Sequence, residues 1–148
     1  MVPPLSIPVQ TTLDVASLPA YAHPGDAGLD LRATKGCVLK PFERALIPTG
    51  LRMAIPEGYA GLIMPRSGLA LKQGFTLVNT PGLIDSNYRG ELGVIGINLD
   101  CEHSFTILPN DRIAQLVIVR VEQALLALQA SFDDNTERGT GGFGSSGV

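Results

Sequence analysis

Proline and glycine interrupt this chain so often that no apolar segment runs long enough for a substantial helix. The 11 Pro and 17 Gly are spread through 148 residues, and between them lie short runs rich in β-branched, aromatic and leucine side chains. Such spacing predicts many short strands joined by turns, an all-β meander or sandwich. Leu5-Ser6-Ile7-Pro8-Val9-Gln10 alternates apolar and polar residues and reads as an edge strand, where Pro is tolerated. His23–Ala33 reads as a turn feeding a short strand with Leu29 and Leu31 on one face and Asp30 on the other. Short strands follow at Cys37–Lys40, Arg44–Pro48, Leu51–Ile55 and Tyr59–Met64, with Pro41 and Thr49-Gly50 as breaks. Further strands are expected at Phe75–Asn79, Gly93–Asn98, Ser104–Leu108 and Arg112–Val119, the last almost continuously apolar. One helical turn fits after Pro65-Arg66, with Ser67 as its cap and Gly74 as its end. Gln123–Ala130 has helical propensity, yet strand is the expectation because the surrounding chain is all-β.

The same residues bound the function. One domain of this length buries a single core. A net charge of −3 lacks the basic face of a nucleic-acid or membrane-surface binder. No run approaches the ~18 apolar residues of a membrane span, and Met1–Leu5 does not resemble a signal peptide. Cys37 and Cys101 are expected as buried free thiols in a cytoplasmic protein. Neither is spaced with His23 or His103 as a metal site would require, so no protein-held metal is expected.

Three stretches carry candidate chemistry. In Gly82-Leu83-Ile84-Asp85-Ser86-Asn87-Tyr88-Arg89-Gly90, turn formers alternate with strand formers, which reads as a hairpin or tight loop between its flanking strands. Its main chain can meet a flat polar ligand, Asp85 can act as a base and Tyr88 as a wall; Asp is also an ordinary turn former. Arg66 and Ser67 beside a helix start suit a phosphate, whose oxygens a guanidinium grips as a fork. Asp30 is either a solvated strand residue or the carboxylate that orients an Arg, and Gln115 either a satisfied core amide or the holder of a water or phosphate. The last stretch, Glu137–Val148, has the composition of a flexible terminus. Its Arg138 and Phe143 have no use in a linker, whereas a closing Gly-rich strand can set Arg138 on a terminal phosphate and Phe143 on a base. It is not a Walker loop, because no Lys-Ser/Thr pair follows the glycines.

Taken together, five segments resemble the motifs of the trimeric dUTP pyrophosphatase (dUTPase) family, in order and spacing. They are Ala27–Leu31, Pro65–Gly68, Gly82–Gly90, Arg112–Leu116 and Arg138–Gly144. The resemblance implies a distorted jelly-roll β-barrel or sandwich over residues 1–132, a mobile Gly-rich tail over 133–148, and a homotrimer with shared active sites. It implies cleavage of dUTP to dUMP and pyrophosphate, with Asp85, Gln115 and Asp30 as catalytic residues. Asp85 would activate the attacking water. Arg66, Ser67, Gly68 and Gln115 would hold phosphates and that water. Asn79, Leu83, Ile84 and Gly93 would read the uracil edge, and Tyr88 would pack under the deoxyribose. Arg138, Phe143, Gly144 and Ser145 would bind substrate as the tail closes. Mg²⁺ would ride on the triphosphate rather than in a protein cage. Leu29 stands where some members carry an aromatic, expected as a packing difference only.

Two rivals are weighed against this. A related dCTP deaminase would need a catalytic Glu where this hairpin has Asp85. A non-enzymatic jelly-roll binding module would have no use for Asp85 and the tail together.

Overall fold

The computed structural model describes residues 5–14, 17–131 and 136–142. Among them are ten strands and one helix: β1 (Val9–Thr11), β2 (Leu29–Arg32), β3 (Cys37–Leu39), β4 (Arg44–Met53), β5 (Tyr59–Met64), α1 (Ser67–Gln73), β6 (Phe75–Leu77), β7 (Gly82–Ile84), β8 (Glu91–Asn98), β9 (Phe105–Ile107) and β10 (Arg112–Arg120). All observed pairings are antiparallel. One four-stranded sheet has the order β1-β4-β8-β6, a second has β2-β10-β5-β7, and β3 pairs with β9. The architecture is thus a jelly-roll-like sandwich, and the sheets do not close into a barrel.

The two four-stranded sheets share one core because each turns an alternating apolar face inward. Along β4, Ile47, Thr49, Leu51 and Met53 are buried while their neighbours are not. Along β8 the same alternation buries Leu92, Val94 and Asn98. Leu31, Ile63 and Leu116 of the second sheet join Ile47, Leu51, Val94 and Phe75 of the first in a single cluster. A strand's period of two sends every second side chain to the same face, so the apolar pattern alone specifies which face is core.

Asn98 is the polar exception in that core. It is fully buried, its Nδ2 donates to the carbonyls of Leu39 (3.0 Å) and His103 (2.8 Å), and its Oδ1 accepts from the Asp100 N–H (3.0 Å). Asn98→Leu would keep the number of heavy atoms and the branch point and strip partners from three main-chain groups. We expect a loss of about 2–4 kcal/mol in stability, measured by denaturant unfolding.

Several local expectations are corrected here. Thr49-Gly50 does not break β4; the strand continues through it with a register shift between Pro48 and Arg52, Gly50 taking φ 70°. Between Pro48 and Arg52 β4 advances four residues while β8 advances two, so the irregularity absorbs two extra residues without ending the strand. The first strand is shorter than its alternating pattern, spanning Val9–Thr11 only. Ser67 does not cap α1: extended Arg66 holds that position, no side chain caps the helix, and Gly74 ends it with φ 63° as expected. Gln123–Ala130 is neither strand nor helix. The segment cannot fold straight back as a strand on β10, which precedes it, because both sides of β10 are already taken by β2 and β5.

Of the hairpin or tight loop expected around Asp85, the structure has a tight turn, with one more strand before it than a simple hairpin. β6 pairs with β8 in one sheet, but β7 between them pairs with β5 in the other. The chain therefore crosses from sheet to sheet and back, carrying the Asp85–Gly90 turn on the return. Both cysteines are free, but Cys37 is only half-buried and Cys101 is exposed, so neither is the buried thiol expected. Burial, reinforced by the nearby Glu43 carboxylate, pushes the Cys37 thiol pKa up. No helix of the described residues is long and apolar enough to cross a membrane.

Candidate active site

Three neighbouring strands assemble the first cluster. In register, Gln115 of β10 stands opposite Asp30 of β2 on one side and Met64 of β5 on the other. β5 runs directly into Pro65-Arg66, so Asp30, Gln115 and Arg66 meet at one end of the sheet although at least 36 positions separate any two of them in the chain. Asp30 Oδ1 lies 3.2 Å from Arg66 Nε, and its Oδ2 lies 3.2 Å from an Arg112 terminal nitrogen. Arg66 also donates to the Arg112 carbonyl at 3.0 Å. One carboxylate thus holds two guanidinium groups side by side, leaving one positive charge in excess over the three groups.

The Asp30 side chain is 20% exposed and that of Arg66 27%, so the pair is partly shielded and less screened than a surface ion pair. Gln115 is fixed by its Nε2 donating to the Pro65 carbonyl at 3.0 Å. Its Oε1 lies over Gly28, 2.5 Å from where a Cβ would stand, so no residue with a side chain fits there without displacing the amide. These groups line a polar cavity of about 370 Å³ with Ser67 and Gly68 at its wall and His23 at its rim. Its chemistry is that of an anion cradle: two fork-shaped donors, an exposed hydroxyl and a fixed amide.

The second cluster lies on β7 and the turn after it. Leu83 is 62% exposed and Tyr88 43%, and Asp85 is exposed between them. The Tyr88 N–H closes the turn onto the Asp85 carbonyl at 3.1 Å, and the Tyr88 hydroxyl donates to the Glu91 carbonyl at 3.0 Å. Asn79 lies beside Gly82, its Nδ2 at 3.3 Å from where a Cβ would stand. Ile84 is half-buried, and Gly93 is paired with Pro48 within β8. The main chain here faces outward beside an exposed aromatic ring, which suits a flat polar ligand.

The two clusters do not meet within one chain. Ile84 pairs with Gly61, and β5 then runs from Gly61 away toward Arg66, a span of roughly 16 Å at the ordinary strand rise. Neither Asp85 nor Tyr88 lines the cavity of Arg66 and Gln115. In the tail, Arg138 Nε donates to the Gly141 carbonyl at 2.9 Å, and the Gly139 and Gly141 N–H groups close successive turns on Thr136 and Arg138. Phe143, Gly144 and Ser145 lie outside the described residues, as do Asp133 and Asp134.

A family model described as dUTPase matches residues 14–147. The chain belongs to the dUTPase family. The deoxyuridine 5'-triphosphate nucleotidohydrolase of Streptomyces avermitilis is 51% identical over 144 residues, covering 97% of this chain and 82% of that protein. That of Mycolicibacterium gilvum is 54% identical over 134 residues, covering 88% of this chain and 87% of the relative. Among solved structures, a mutant dUTPase of Staphylococcus bacteriophage 80alpha with dUpNHpp superposes with a TM-score of 0.87 at 34% identity, over 97% of this chain and 99% of the other. A mutant dUTPase from phage phi11 of S. aureus, notable for coordinating a structural Mg(II) ion, gives 0.79 at 28% identity over 87% of this chain and 99% of the other.

Two residues of this dUTPase's cavity stand outside the expected set. Arg112 is the second guanidinium on Asp30, and Gly28 makes room for Gln115. Both sit inside motif segments, Arg112 at the first position of β10 and Gly28 one step before β2. Only the pairing of β2 with β10 shows that Arg112 reaches Asp30 and that Gly28 lies against Gln115.

Proposed function

We propose that this protein hydrolyses dUTP to dUMP and pyrophosphate, keeping uracil out of DNA and supplying dUMP for thymidylate synthesis. The observation that carries this reading is the cavity in which Asp30 holds Arg66 and Arg112 together beside Gln115, in a chain of the dUTPase family. The triphosphate lies against the two guanidinium groups, Ser67 and the Gly68 main chain. Gln115 keeps the attacking water in line, and Asp30 sets the arginines. Asp85 takes the water's proton as its oxygen bonds to the α-phosphorus, and the bond from that phosphorus to the bridging oxygen breaks to release pyrophosphate. The exposed edge of Asn79, Leu83, Ile84 and Gly93 reads uracil, and the Tyr88 ring excludes a 2′-hydroxyl. Arg138, Phe143, Gly144 and Ser145 complete the site as the segment 133–148 closes over the domain 1–132.

No group of three or more His, Cys, Asp or Glu among the described residues is arranged to hold a metal ion. A Mg²⁺ ion that arrives on the triphosphate fits this donor set, neutralising phosphate charge while keeping most of its waters. The protein's own part is to grip the phosphate oxygens that the ion leaves free.

The separation of the two clusters supports a homotrimer, in which the Asp85 turn of one subunit meets the arginine cavity of another. So do Leu125, Leu126 and Leu128, which are 94%, 91% and 101% exposed and would be costly to leave in water. Two free cysteines and a nucleotide substrate fit a cytoplasmic enzyme.

The test is pyrophosphate release from dUTP, dCTP, dTTP and UTP, with Mg²⁺ and then with chelator. Turnover of dUTP alone, lost on chelation, is expected; no release from any of the four would sink the reading. Tyr88→Ala should relax discrimination against UTP by about tenfold in kcat/KM, the scale of one lost steric contact. Unchanged selectivity would place sugar recognition elsewhere.

A further inference from the structure

The Asp85 turn is short and exposed, and two guanidinium groups hold it. Arg89 folds back over its own turn, one terminal nitrogen donating to the Ser86 carbonyl at 2.6 Å and the Tyr88 carbonyl at 2.8 Å. Arg52, reaching across from β4, donates from Nε to the Arg89 carbonyl at 2.7 Å and from a terminal nitrogen to Gln10 Oε1 at 3.3 Å. Among the described residues neither arginine has a carboxylate within 4.0 Å. Their charge is therefore directed at main-chain carbonyls, and charge-assisted bonds of this kind are about twice as strong as neutral ones.

The arrangement is a chain of fixation. β4 anchors Arg52, Arg52 anchors the Arg89 carbonyl, and the Arg89 side chain anchors the carbonyls of Ser86 and Tyr88. Tyr88 is secured separately, through its hydroxyl to the Glu91 carbonyl, and the Glu91 carboxylate accepts from the Gly50 N–H at 2.8 Å. The ring that would meet the sugar thus has an anchor of its own at its hydroxyl, while the Tyr88 main chain shares Arg89 with the turn that carries Asp85. Neither Arg52 nor Arg89 lines the cavity of Arg66 and Gln115.

We propose that Arg89 and Arg52 are positioning residues for Asp85, setting its carboxylate for water activation without contacting the nucleotide. This rests on the reading of Asp85 as the base. In-line attack tolerates little misplacement, so loosening the turn lowers kcat while substrate affinity, carried by the cavity and by Tyr88, is kept.

The experiment compares Arg89→Ala, Arg89→Lys, Arg52→Gln, Asp85→Asn and the double variant Asp85→Asn/Arg89→Ala in the full-length assembled protein. It measures kcat and KM for dUTP and the Kd of dUpNHpp. Arg89→Ala is expected to lower kcat about 10- to 100-fold with KM and Kd within about threefold. Arg52→Gln should lower kcat several-fold, Arg89→Lys should recover part of the Arg89→Ala loss, and the double variant should be no slower than Asp85→Asn. Wild-type kcat in Arg89→Ala and Arg52→Gln would overturn the proposal, as would a Kd that weakens in step with the rate. If Arg89→Ala fails to fold, Arg89→Lys and Arg52→Gln decide on the same criteria. Near-normal turnover by Asp85→Asn would instead remove the base reading itself, an outcome separable from failure of the arginines.

Discussion

Asp85→Asn should lower kcat for dUTP about 10²- to 10⁴-fold, the usual contribution of a positioned general base, and leave dUTP binding nearly intact. Asn has the size and planarity of Asp and keeps a hydrogen-bonding oxygen, so a water can still be held. What it lacks is a carboxylate to receive the proton. Asp85 is exposed in the turn, and its main-chain carbonyl, not its side chain, closes that turn onto the Tyr88 N–H. The substitution therefore removes little that holds the fold together. The check is single-turnover kinetics beside equilibrium binding of dUpNHpp. Lost binding with normal turnover of the bound fraction would move Asp85 from base to ligand contact.

Removal of residues 138–148 should lower dUTP turnover about 10²- to 10³-fold, because an arginine brought onto a terminal phosphate supplies effects of this order or larger in phosphoryl transfer. Arg138 is spent on its own turn in this structure, donating to the Gly141 carbonyl. That bond is local and exposed, so little opposes its exchange for a phosphate oxygen. The truncated chain keeps the sandwich and the exposed Leu125–Leu128 stretch, so its oligomeric state should match the full chain by light scattering. Wild-type turnover would reduce the tail to a linker; dissociation of the assembly would make it a structural arm.

Much of the sandwich was legible because its cause is local. Alternating burial along β4 and β8 follows the alternation of their side chains, and the ends of α1 and β3 fall at Gly74 and before Pro41. The errors lie where a distant partner decides. Gln123–Ala130 has strand-compatible residues but follows a strand, β10, whose two sides are already paired, and Thr49-Gly50 resembles a break because only the facing strand β8 reveals it as an irregularity within one strand. Ser67 resembles a cap, but Arg66, extended and drawn toward Asp30, takes the boundary instead.

The candidate site divides in the same way. Motif residues could be picked out by type and spacing, because a base, an anion-binding arginine and a Gly-rich tail each have a chemical signature in one dimension. The sequence by itself determined the fold class, most strand positions, the family and the inventory of reactive groups, since alternation, turn chemistry and motif spacing are properties of neighbouring residues. Only the tertiary structure decided that Asp30 clamps Arg112 as well as Arg66, that Gly82–Ile84 crosses to the opposite sheet, and that Asp85 stands apart from the arginine cavity of its own chain. Those facts are set by strand pairing between residues far apart in the chain, and a hydrogen-bond ladder accepts many partners until the packing of a common core selects one.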